Sequence, residues 1–60
     1  MFDKLLQCLC ESRRTQAFYT KCLNEAVTEE EKDFLGELVK DATRTSNDIK
    51  KFFESMPKEK

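Results

Sequence analysis

The chain has 60 residues, 38% of them charged and 38% hydrophobic, with eleven Lys and Arg against twelve Asp and Glu and no histidine. This length permits one small domain, and a formal net charge of −1 supplies no strong field for nucleic acid or an anionic membrane surface. Lack of histidine excludes Ser–His and Cys–His nucleophile pairs, a single glycine excludes a glycine-rich phosphate loop, and no run approaches the ~20 apolar residues of a membrane span.

The first predicted element is a helix over about 2–27, a stretch with neither Gly nor Pro. Its stripe reads Phe2, Leu5, Leu9, Ser12, Gln16, Tyr19, Leu23, Ala26, at the alternating three- and four-residue spacing of a packed helix face. A turn is expected near Thr28. The run Thr28-Glu29-Glu30-Glu31 has the form of a capping box, with three glutamates at the positive end of a new helix dipole. The second helix is expected over about 29–55, with a frayed tail at 56–60. Its stripe is Leu35, Leu38, Ala42, Thr45, Ile49, Phe52, Met56, and Pro57 stops it. Gly36, inside this helix, reads as a tolerated surface glycine rather than a close helix contact.

Matched lengths and a short connection predict an all-α antiparallel two-helix hairpin. Folding near Thr28 brings Ser12 and Gln16 level with Ala42 and Thr45, so the middle of the seam is small and polar. Gln16 is placed to hydrogen-bond across that layer to Ser12 or Thr45. Cys8, Phe18 and Cys22 widen the first apolar face, and Phe34, Val39 and Phe53 widen the second. Such a face exceeds what one partner helix covers, and a hairpin of this size is marginal alone. Homodimerisation into a four-helix bundle is therefore expected. Phe2, Tyr19, Phe52 and Phe53 are the expected dimer or partner contacts, with Phe2, Phe52 and Phe53 clustered at the open end.

The three cysteines, Cys8, Cys10 and Cys22, are odd in number and follow no leader, which predicts free thiols in the cytoplasm. Cys8 and Cys10 would point about 200° apart on a helix, and Cys8 and Cys22 would lie ~21 Å apart along it. No shared metal ion fits that spacing. Cys8 and Cys22 read as small core hydrophobes.

The segment Ala17-Phe18-Tyr19 through Leu23-Asn24-Glu25-Ala26 to Thr28-Glu29-Glu30-Glu31-Lys32-Asp33-Phe34-Leu35-Gly36-Glu37-Leu38-Val39-Lys40-Asp41 resembles the ferritin-like superfamily, in its rubrerythrin-like branch. The resemblance spans roughly residues 12–53. It implies a half-size helical hairpin, two of which in metal-bearing members supply four carboxylates and two histidines, through a Glu-x-x-His pair on each second helix, to a di-iron or di-manganese centre. The matching positions here are Ser12, Ala42 and Thr45, so the ligands are replaced and no cofactor is expected. Glu11 and Asp41 are one residue away, which rotates them by about 100°.

The expected function is that of a non-catalytic interaction or scaffolding module, a metal-free homodimer with an unidentified protein partner. The alternative is a small dimeric RNA- or DNA-binding regulator, similar to the Rop-like copy-control hairpins, using Arg13, Arg14 and Arg44 as a belt. Glu11, Asp41 and Asp48 lie close to those arginines and dilute their field, so nucleic acid is the less favoured partner.

Overall fold

The computed structural model describes residues 2–56. Two helices form an antiparallel hairpin: α1, Phe2–Glu25, and α2, Glu29–Ser55. At 24 and 27 residues, they are ~36 and ~40 Å long at ~1.5 Å per residue. Helix α1 ends at Glu25 rather than near 27, because the Ala26 N–H turns back to the Leu23 carbonyl at 3.2 Å and closes the last turn tightly. Fraying expected at 57–60 lies outside the described residues. Met56 is extended (φ −73°, ψ 143°), as the residue before a proline should be.

Helix α2 starts on a complete capping box. Thr28 Oγ1 accepts from the Glu31 N–H at 3.1 Å. Glu31 Oε1 reaches back to the N–H groups of Val27 at 3.0 Å and Thr28 at 3.2 Å. One carboxylate thus satisfies two donors of the turn, and a three-residue link suffices to reverse the chain.

Three cross-helix contacts fix the register. Phe2 and Phe53 meet edge to face at 5.2 Å near the open end. Ser12 and Ser46 share a hydrogen bond at 2.7 Å. Gln16 Nε2 donates to Thr43 Oγ1 at 2.9 Å. The seam on α2 therefore differs from the expected one. Val39, Ser46 and Phe53, seven residues apart, face α1, while Thr45 and Phe52 are exposed. Each lies one residue, about 100°, from its expected neighbour. The level of the polar layer holds, but Ser46 occupies the place expected of Thr45, and Gln16 bonds Thr43 rather than Ser12 or Thr45.

Burial in this interface is slight. Only Ala42 and Ser46 are buried among the described residues, and no large side chain is fully enclosed. A methyl added at Gly36 would meet nothing within 4 Å, so this glycine stands on open surface.

Thr28→Ala should cost about 1 kcal/mol and lower the thermal midpoint by roughly 4–8 °C, read by circular dichroism. The hydrogen bonds from Val27 and Thr28 hold the Glu31 carboxyl below its usual range. Its stabilising effect is therefore complete above the ordinary glutamate value and is lost as pH falls through the depressed one. Glu31→Gln should flatten the acid limb of the stability–pH curve, and an unchanged limb would show that the cap does not set it.

Candidate functional site

The middle of the hairpin holds a polar layer, built by residues three or four positions apart on each helix: Ser12 and Gln16 on α1, Thr43 and Ser46 on α2. Ser46 is 2% exposed, and its hydroxyl is satisfied by Ser12. Thr43 Oγ1 accepts from Gln16 and itself donates to the Val39 carbonyl at 2.8 Å. Thr20 Oγ1 donates to the Gln16 carbonyl at 2.9 Å, anchoring the same turn of α1. No buried side-chain polar atom is left unpaired among the described residues. A closed layer of this kind favours one register, because sliding the helices by a residue would strand hydroxyls in an apolar seam.

On one side of this layer the two helices flank an open groove of about 710 Å³. Its walls differ in chemistry. Helix α1 supplies Lys4, Gln7, Cys8, Glu11, Ser12, Thr15 and Tyr19. Helix α2 supplies Leu38, Asp41, Ala42, Thr45 and Ile49. The α1 wall is mostly polar or small, and the α2 wall mostly apolar. Beyond the groove the same apolar row continues, since Phe52 lies seven residues from Thr45 and is 54% exposed. Phe34 and Phe18 are more exposed still, at 64% and 60%.

The positions matching a di-metal site do not fit one. All three line the same groove, but Ser12 spends its hydroxyl on Ser46, Ala42 has no donor atom, and Thr45 offers a single hydroxyl. Hard di-iron or di-manganese centres are built on carboxylates and histidines, and no group of three His, Cys, Asp or Glu side chains converges among the described residues. Glu11 and Asp41 reach the groove edge, but Arg14 lies 3.6 Å from the first and Arg44 3.3 Å from the second, all largely exposed. The three cysteines are free, with Cys8 and Cys10 exposed and Cys22 half-buried.

Within one hairpin the arginines do not form a continuous belt. Arg14 follows Ser12 by two residues and Arg44 precedes Ser46 by two, about 200° around each helix from the seam. They stand on opposite outer edges of the hairpin, each beside a carboxylate of its own helix. Arg13 is exposed on the face away from the groove. Of the expected partner contacts, Tyr19 lines the groove and Phe52 is exposed. Phe2 and Phe53 are engaged with each other, although Phe2 remains 55% exposed. Sequence reasoning missed Ser46 and Thr43. The repeat of Val39, Ser46 and Phe53 was the available signal, one step away from the more apolar row Leu38, Thr45, Phe52.

Among the described residues no helix is long and apolar enough to cross a membrane. Comparison with protein-family models, with curated proteins and with solved structures returned no match.

Ser46→Ala should cost about 1 kcal/mol, since it leaves Ser12 without its protein partner, whereas Ser12→Ala with Ser46→Ala should come close to the parent. Thermal melts of the three variants measure this coupling. Additive losses would show that the hydroxyls act independently.

Proposed function

We propose that this chain is a non-catalytic helical interaction module that works as a homodimer, two hairpins closing into a metal-free four-helix bundle of ferritin-like type. The observation that carries the reading is the open apolar face of the hairpin. Phe18, Phe34 and Phe52 are more than half exposed, while among the described residues the shared interior buries only Ala42 and Ser46. The chain exposes 5023 Å² at a mass of 7.1 kDa, against ~4,100 Å² for a compact monomer of that mass. The excess belongs to an elongated, open body, and a standard-size interface on this face would cover ~800 Å² of each copy.

The ferritin-like part of the reading rests on the residues quoted from Ala17 to Asp41 and on the hairpin they form. Loss of ligand chemistry at Ser12, Ala42 and Thr45 favours a structural role over metal catalysis. The groove-edge carboxylates are exposed and set against arginines, which is poor tuning for acid–base work. Three free thiols favour a reducing compartment, the cytoplasm. Scaffolding or regulation through a further protein partner is the functional class that suits such a body. Separation of Arg14 from Arg44, and their carboxylate neighbours, weigh against the nucleic-acid alternative.

Light scattering should give a mass near twice 7.1 kDa, and Phe52→Asp should lower it toward the single chain. A parent protein that melts cooperatively as one chain would overturn the reading. Purified protein should carry no stoichiometric iron or manganese by elemental analysis. Salt-sensitive retention of paired RNA, lost in Arg13→Ala with Arg14→Ala, would instead support the regulator.

A further inference from the structure

The two walls of the groove are chemically unlike, and a two-fold axis can pair them in only two ways. If the hairpins dock with their turns at the same end, α1 of one copy lies over α2 of the other. Lys4, Gln7 and Glu11 then press on Ile49 and Phe52, and apolar side chains desolvate charges without replacing their water. Glu11 would also come level with residue 47 of the second copy, next to the partner's Asp48. If the turns lie at opposite ends, α1 meets α1 and α2 meets α2. The α2 apolar row then meets its own copy, and Asp41, level with the partner's Ile49, is the one charged residue of that wall, held at the groove edge beside Arg44.

We infer that the groove is closed by the groove of a second copy, with the turns at opposite ends and the dyad passing near Thr45. This rests on the homodimer reading and specifies its geometry. The row on α2 carries its own centre: Leu38 and Phe52 stand seven residues on either side of Thr45, and Phe34 and Met56 eleven on either side. Antiparallel pairing about Thr45 sets Leu38 on the partner's Phe52 and Phe34 on the partner's Met56. Two threonines, small and able to hydrogen-bond to each other, meet at the crossing. On α1, the Ser12–Ser46 and Gln16–Thr43 bonds place residue 13 level with Thr45. Lys4 then falls opposite residue 22 of the second copy, within one turn of the partner's Glu25. Glu11 falls opposite the partner's Thr15, a hydroxyl that can donate to its carboxylate. Apolar matching along α2 thus favours this orientation, while the arginines of the two copies stay on its exposed outer edges beside Glu11 and Asp41.

Crosslinking at the dyad tests the geometry apart from the association. In a background of Cys8→Ser, Cys10→Ser and Cys22→Ala, Thr45→Cys should be driven almost wholly to a covalent dimer by copper phenanthroline or a short bis-maleimide. Arg13→Cys, on the opposite face, should remain monomeric on a denaturing gel. Because Thr45 is exposed, its replacement leaves the hairpin interior untouched. If Thr45→Cys fails to crosslink while light scattering still gives the doubled mass, the orientation is wrong and the homodimer stands. If the mass is that of one chain, both fail. Efficient crosslinking of Arg13→Cys alongside Thr45→Cys would also overturn the assignment, because no single two-fold axis seats both faces.

Discussion

A helix in a hairpin has one neighbour, and an apolar arc wider than one neighbour can cover must find another or stay wet. Helix α2 shows this constraint plainly. Val39, Ser46 and Phe53 face α1, and Leu38, Thr45 and Phe52 form a parallel row on the open side. Leu35, Ala42, Ile49 and Met56 run between the two rows. Apolar residues on three adjacent rows make the arc of a helix with two neighbours rather than one. Burial follows from it: among the described residues only the middle of the shared row, at Ala42, and its Ser46 neighbour become buried.

The polar layer acts on specificity more than on strength. A pair of hydroxyls bonded to each other contributes about as much as the water bonds they gave up. Sliding one helix by a single residue, however, breaks Ser12–Ser46 and Gln16–Thr43 together. Surface electrostatics cannot supply this selectivity. The four ion pairs among the described residues join residues three apart on one helix and are largely exposed, so each is worth little and none ties the helices to each other. Register therefore depends on two hydrogen bonds and on one aromatic contact at the open end.

Much of this was legible in the residues. The capping box at Thr28 and Glu31 is a local motif whose partners lie three positions apart, so the start of α2 could be read without knowing the fold. The hairpin itself follows from the two matched stripes and the short link. The side of α2 that faces α1 was not legible. Thr45 and Ser46 are both small hydroxyl residues, and Phe52 and Phe53 are identical, so adjacent heptad rows carry nearly the same chemistry. Periodicity locates an arc but not which edge of it meets a particular neighbour. The more apolar row looked like the intramolecular seam, whereas the structure leaves that row on the open side. The groove itself could not be read either, because its two walls come from residues at least 19 positions apart.

The Phe2–Phe53 contact has a geometric consequence for anything joined to this chain. It holds the beginning and the end of the described residues at one pole of the rod, with the link at residues 26–28 at the other. A peptide attached to either terminus leaves from that pole, one helix length, ~40 Å, from the bend. In a pair whose bends point opposite ways, the attachments of the two copies emerge at opposite poles. A pair of that kind would set anything joined to its two copies about one helix length apart.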